Sequence, residues 1–374
     1  MIDRVLKNRI SPLLGGQKAI VIMGARQVGK STLLKELFAE RNDVLWMNGD
    51  EQDVRTLFDN LSATRAKAII GKNNLIVIDE AQRITDIGLK IKPIADQVEG
   101  VQVVATGSSS FELANKLNEP LTGRKREFKM FPITFGEMVN HTNMLEELRM
   151  IPHRMVYGYY PEVVMNIGDE KTILKELSDS YLYRDILSLD SISKPDKLTK
   201  LLQALAHQIG EQVSYNEVGQ LIGLDPKTVE KYVDVLEKSY VIFRLGSFSR
   251  NLRNELKSSR KIYFWDLGIR NAIIGNFSNI ENRADVGALW ENYVISERMK
   301  KNMYSDSFTN FWFWRTQQQK EIDLLEEEDG KLCAYEFKWN PKKANVNAPE
   351  SFTKAYPNAT FKVITNNNVD EFLL

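Results

Sequence analysis

One segment, Gly24-Ala25-Arg26-Gln27-Val28-Gly29-Lys30-Ser31, constrains this chain more than any other because of its flanks. Five apolar residues, Ala19–Met23, precede it, and STLLKELFAE, with apolar residues at helical spacing, follows. Between a strand and a helix, a G-x-x-x-x-G-K-[ST] segment lets backbone N–H groups wrap phosphate oxygens at a helix N-terminus, where the dipole favours anions. The pattern predicts that Gly24, Ala25, Arg26, Gln27, Val28, Gly29, Lys30, Ser31 and Thr32 cradle a nucleotide. Lys30 would neutralise the outer phosphate oxygens, and Ser31 would hold Mg²⁺.

The alternation extends beyond this segment. AIVIM (19–23), VLWM (44–47), LIVID (75–79) and VQVVAT (101–106) are apolar on both faces and separated by amphipathic stretches, as parallel strands covered by helices require. Residues 1–140 therefore read as an α/β domain with a parallel sheet. The chain has 374 residues, too many for one ordinary core at roughly 150 per domain. With 43% hydrophobic and 27% charged residues it has the composition of a folded protein. Lys plus Arg equals Asp plus Glu at 50 each, so no global basic field points to nucleic acid and any such binding must rest on a local patch. The single cysteine, Cys333, excludes an internal disulfide or a zinc-finger framework and fits a reducing compartment. His141, His153 and His207 stand apart from metal-ligand partners, so no zinc site is expected. MIDRVLKNRI lacks the apolar stretch of a signal peptide, and no apolar run reaches the ~18 residues of a membrane span. A cytoplasmic protein without membrane contact is the expectation.

Beyond Phe131–Pro132 the strand signals stop, and residues 141–195 read as a helical connector that includes KTILKELSDSYLYRDILSL (171–189). Three short helices are expected between 197 and 241. Ser214 would cap the second, Asp225–Pro226 would open the third, and Gly223 would lie in the turn between them. YVIFRLGSF and KIYFWD look like a β-hairpin wing around a basic loop, with Arg244, Arg250, Arg253, Lys257, Arg260 and Lys261 set against one acid, Glu255. Such a wing, beside a helix bearing Lys227, Thr228 and Lys231, would suit a DNA backbone, and it would equally suit a protein partner. From residue 286 a helix leads to strands FWFWRT, EIDLL and LCAYEFK, the last two joined at Asp329–Gly330.

LIVIDE places Asp79 at the end of a buried strand, where it would reach the metal through water, with Glu80 beside it as the base that orients the attacking water. Thr106 or Ser108 would contact the terminal phosphate or that water. The N-K-x-D reader of a GTPase is absent, since Asn115-Lys116-Leu117-Asn118 ends in Asn, so ATP is the expected nucleotide. Arg124 would serve as a finger on transferred-phosphoryl charge, supplied in trans within a homo-oligomer, or else it belongs to a solvated basic turn with Lys125 and Arg126.

GARQVGKST (24–32), LIVIDEAQ (75–82), ATGSSS (105–110), LTGR (121–124), YLYRDI (181–186), FWDLGIRNA (264–272), EID (321–323) and EFK (336–338) together resemble a bacterial and archaeal group of AAA-type P-loop ATPases. The sheet-end Asp-Glu pair resembles the additional-strand class of these enzymes. The resemblance implies an α/β chain in four parts: a P-loop ATPase domain (1–140), a helical connector (141–195), a winged-helix domain (196–275) and a restriction-nuclease-like domain (276–374). It also implies a D…E-x-K metal site in which Asp323 and Glu336 hold Mg²⁺, Lys338 steadies the attacking water and Glu291 approaches from a helix. The position before Asp323 is Ile322, where that pattern often has Pro. Read from the residues alone, Glu336 and Lys338 alternate on one strand face and also make an ordinary charge pair. The resulting expectation is an ATP-hydrolysing protein acting on DNA, or a nucleotide-controlled switch that engages a protein partner.

Overall fold

The computed structural model describes residues 2–59, 61–108, 121–179, 194–249, 260–305 and 307–374. The string 115–118, YLYRDI, Arg250, Arg253 and Lys257 lie outside them. The chain divides into two compact units, Met1–Pro132 with Lys238–Tyr240, and Ile133–Glu237 with Val241–Leu374.

The first unit carries strands β1 (Ala19–Met23), β2 (Val44–Asn48), β3 (Leu75–Asp79), β4 (Gln102–Gly107) and β5 (Lys125–Lys129), and helices α1 (Val5–Ile10), α2 (Lys30–Leu37), α3 (Gln52–Asp59), α4 (Ala63–Ile70) and α5 (Ile87–Gln97). The sheet runs β2-β3-β4-β1-β5, parallel throughout. Every residue of β1 and β4 is buried, as their unbroken apolar runs require of strands covered on both faces. β4 lies between the strand leading into the phosphate loop and the strand ending in Asp79, so the carboxyl ends of all three emerge side by side. β5 corrects the basic-turn reading, because Lys125 and Arg126 form a strand paired with Ala19 and Ile20. KREFK has no apolar run since it is an edge strand of which only Phe128 is buried.

The second unit opens with α6 (Phe135–His141), α7 (Met144–Tyr157), α8 (Pro161–Met165) and α9 (Glu170–Leu177), then α10 (Pro195–His207). α11 (Tyr215–Ile222) and α12 (Pro226–Lys238) form the expected helix-turn-helix. Ser214 Oγ accepts the Glu217 N–H at 3.4 Å, and Asp225 accepts that of Thr228 at 3.0 Å. β6 (Gln212–Val213), β7 (Ile242–Gly246) and β8 (Arg260–Phe264) make a three-stranded antiparallel sheet ordered β6-β8-β7. FWDLGIRNA is structural: Asp266 caps α13 (Leu267–Ile273) through the Ile269 N–H at 3.1 Å and also accepts the Tyr159 N–H at 2.7 Å. Arg270 donates to the Ala206 carbonyl at 2.7 Å and Asn271 to that of Val156 at 2.8 Å, so buried polar groups tie three segments together.

After α14 (Val286–Tyr304) come β9 (Asn310–Arg315), β10 (Glu321–Glu328) and β11 (Lys331–Phe337), then α15 (Glu350–Ala355), β12 (Thr360–Ile364) and α16 (Val369–Leu373). The sheet order is β12-β11-β10-β9, with only β11 and β12 parallel. Ile322 and Leu325 enter the same core as Trp314, Ala334 and Phe352, although a regular strand would put residues three apart on opposite faces. The register against β9 shifts between them, and this bulge spans Asp323.

Candidate functional site

The loop from Gly24 to Gly29 joins β1 to α2, and its backbone geometry demands its residues. A Cβ on Gly24 would lie 2.1 Å from the Met130 carbonyl oxygen, and Gly29 has φ +97°. Gln27 is also left-handed, at φ 59°. The buried Lys30 Nζ donates to the carbonyls of Gly24 at 2.9 Å and Ala25 at 2.7 Å. Burial lowers its pKa to about 8, against the pull of Glu80 and Asp79. Buried Arg4 was not signalled by any motif. It donates to the carbonyls of Val28 and Phe131, both at 2.7 Å, and so braces the loop from the chain start.

Asp79 meets this loop from β3. Ser31 Oγ donates to Asp79 Oδ2 at 2.6 Å, and Thr106 Oγ1 donates to Asp79 Oδ1. The Glu80 N–H lies 3.2 Å from Thr106 Oγ1. Thr106 is 0% exposed, and its hydroxyl lies between Asp79 and the Glu80 N–H. Glu80 has φ 49°, a left-handed conformation that costs a non-glycine residue about 1–3 kcal/mol and turns its side chain out of the strand's alternation. Gln82 Nε2 donates to Glu80 Oε2 and, at 2.9 Å, to Ser108 Oγ, linking the two. Gln82 was visible only as the last letter of LIVIDEAQ. A glycine cradle, a buried ammonium held by carbonyls alone and a hydroxyl–carboxylate pair beside it fit a magnesium nucleotide.

Arg124 is not brought to this site within its own chain. It precedes β5 at the amino ends of the strands, beside Ala19, whereas the phosphate loop follows their carboxyl ends. Its Nε donates to Asp96 Oδ1 at 2.5 Å, and its side chain is 45% exposed.

A second cluster forms where β8, α14, β10 and β11 meet. Lys261 Nζ lies 2.9 Å from Glu291 Oε1 and also bonds Glu321. Tyr263 Oη donates to the same Glu291 oxygen at 2.6 Å, and Asp323 Oδ2 accepts the Phe337 N–H at 2.8 Å. Lys338 donates to Glu336 at 2.6 Å. Burial, with Glu291 and Glu336 nearby, holds Asp323 well above the ordinary carboxylate range. Burial lowers Lys261, and Glu291, Asp323 and Glu321 outweigh it, so its pKa ends above the ordinary lysine value. Among the described residues no group of three His, Cys, Asp or Glu side chains is arranged to hold a metal ion.

The described residues of the basic run each have acidic or aromatic neighbours. Lys261 is 1% exposed within the acidic cluster. Arg244 pairs with Asp234 at 2.7 Å and with Glu237. Arg260 lies 4.6 Å over the Tyr215 ring and 3.5 Å from Glu230. Sequence spacing could not show that α12 carries the acids paired with Arg244 and Arg260.

Residues 16–139 match a family model described as an AAA domain, and residues 148–280 and 286–372 match two domains of unknown function (DUF8612 and DUF4143). An uncharacterized protein of Mycobacterium tuberculosis is 25% identical over 334 residues, covering 88% of this chain and 72% of its own length. One from Methanocaldococcus jannaschii is 24% identical over 393 residues, 98% of this chain and 86% of its own. The Walker-type ATPase of Pyrococcus abyssi superposes with a TM-score of 0.51 at 14% identity, over 73% of this chain and 96% of that one, a likeness of fold. Residues 16–139 thus match an AAA domain and share the fold of a Walker-type ATPase, and no helix among the described residues is long and apolar enough to cross a membrane.

Proposed function

We propose that the chain binds and hydrolyses ATP at the site formed by residues 24–32, Asp79, Glu80 and Ser108, and passes the nucleotide state to its remaining domains. The observation that carries this is the meeting of Ser31, Asp79 and Thr106 at the ends of adjacent strands beside a buried lysine. Ser31 and Asp79 would hold Mg²⁺, which when bound supplies positive charge to the phosphate oxygens. The loop N–H groups and Lys30 grip the phosphates, Glu80 orients water and takes its proton, and Gln82 with Ser108 fixes the Glu80 carboxylate. ATP turnover by purified protein tests this: Lys30→Ala abolishing nucleotide binding is expected, and unchanged binding would sink the assignment. Arg124, remote from its own site, would act on the site of a neighbouring copy. Specific activity should then rise with protein concentration, and Arg124→Ala should cost up to ~10³-fold without weakening ATP affinity.

In this reading the rest of the chain comprises a connector (141–195), a winged helix (196–275) and a nuclease-like domain (276–374). For the winged helix, a DNA role rests on Lys227 and Lys231, which are exposed on α12. The protein-partner role is favoured by the pairing of Arg244 and Arg260 with acids of that same helix. Salt-dependent retardation of labelled DNA by the full chain separates them: a shift that weakens steeply with salt supports DNA, and no shift at low salt leaves the protein partner.

A further inference from the structure

The nuclease resemblance implies Mg²⁺ between Asp323 and Glu336 with Lys338 free beside it, and the residues present do not fit that ion. Each carboxylate of the corner already has a partner from the chain. Glu336 is engaged by Lys338 at 2.6 Å, Asp323 by the Phe337 N–H at 2.8 Å, and Glu321 by Arg315 at 3.1 Å as well as by Lys261. Glu291 takes Lys261 and Tyr263 on one oxygen. Mg²⁺ demands near-octahedral oxygen ligands at roughly 2.1 Å and tolerates little distortion, whereas an ammonium with three N–H donors bridges carboxylates at looser spacing.

Lys261 is built into this place. It is 1% exposed, lies in β8 two residues before Tyr263 and so on the same strand face, and packs 5.5 Å over the Phe313 ring. Leu245 on β7 and Gln212 on β6 pair with it across the sheet, so the strand holds its position from both sides. We propose that Lys261 is the resident cation of the C-terminal carboxylate corner, where its ammonium fills the place of a divalent metal. The corner is thereby a fixed joint between β8 and the sheet of β9 to β12, and the domain keeps the nuclease-like carboxylates without a metal-dependent cleavage site. This inference is independent of ATP turnover.

Titration of nucleotide-free full-length protein with Mn²⁺, read by electron paramagnetic resonance of the free ion, tests it. Wild type and Asp323→Asn should bind Mn²⁺ identically. Lys261→Met should gain one Mn²⁺ per chain, and the double variant Lys261→Met/Asp323→Asn should lose it again. Mn²⁺ taken up near Ser31 and Asp79 is common to all four proteins and cancels. A wild-type Mn²⁺ ion that Asp323→Asn removes overturns the proposal, as does a folded Lys261→Met protein that gains none. Should Lys261→Met fail to fold, the comparison of wild type with Asp323→Asn decides alone: identical binding supports the proposal, and a lost ion refutes it.

Discussion

Lys30 and Lys261 are both buried lysines beside acidic residues, and their surroundings push them in opposite directions. Lys30 is held by two backbone carbonyls, and burial lowers its pKa to about 8. Lys261 is bonded to two carboxylates, which outweigh burial and raise it above the ordinary value. At the first site Asp79 is engaged by two neutral hydroxyls, so its charge is not cancelled by a bonded cation. At the second, acids and cations are joined. Convergence of motif residues alone therefore does not make an ion site; the charge must also be left uncompensated by the protein itself.

The comparison is broken most severely at Lys261. Replacing it with Met leaves buried carboxylates without their cation and should cost about 3–5 kcal/mol of stability, the scale for removing one partner of a buried pair. Lys338→Met, at a half-exposed pair, should cost at most ~1 kcal/mol. Equal losses in urea unfolding would show that Lys261 is not a buried keystone. On the other side, Glu80→Gln should slow hydrolysis at least ~100-fold while ATP affinity is retained, as expected for a lost base. Unchanged turnover would remove Glu80 from the chemistry.

Gln82→Ala should act through Glu80, lowering kcat by roughly 10-fold with little change in KM, because a misplaced catalytic group costs rate rather than binding. A change confined to KM would assign Gln82 to nucleotide contact instead. The smallest effect is the pH dependence of Lys30. Its folded pKa of about 8 lies below the ordinary lysine value of 10.5, so between these pH values the unfolded chain holds a proton that the folded chain has released. Stability from this group is fully present above 10.5 and is lost as pH falls through about 8. ATP binding, which needs the ammonium, should take up a proton in that window and weaken by less than ~10-fold per pH unit above 8. Calorimetry in buffers of different ionisation enthalpy reads this uptake directly, and affinity independent of pH from 7.5 to 9.5, a range set by the shift itself, contradicts it.

Local patterns carried much of the architecture. β1, β3 and β4 were readable as unbroken apolar runs because strands covered on both faces need nothing else. Ser214 and Asp225 were readable as caps because an N-cap bonds only to residues two or three positions on. β5 was not, since an edge strand needs no apolar run. Arg4 was missed because its bonds reach residues 24 and 127 positions away, and no spacing rule extends so far.

By itself the sequence determined the phosphate loop, its strand and helix flanks and the Asp79 strand end, because each rests on residues adjacent in the chain whose backbone preferences act locally. Only the tertiary structure decided that Thr106 bonds Asp79, that Gln82 bridges Glu80 and Ser108, and that Lys261 lies among acids rather than on a basic surface. Those outcomes depend on which strands become neighbours, and a charge acquires its role only from whatever the fold brings within a few ångströms of it.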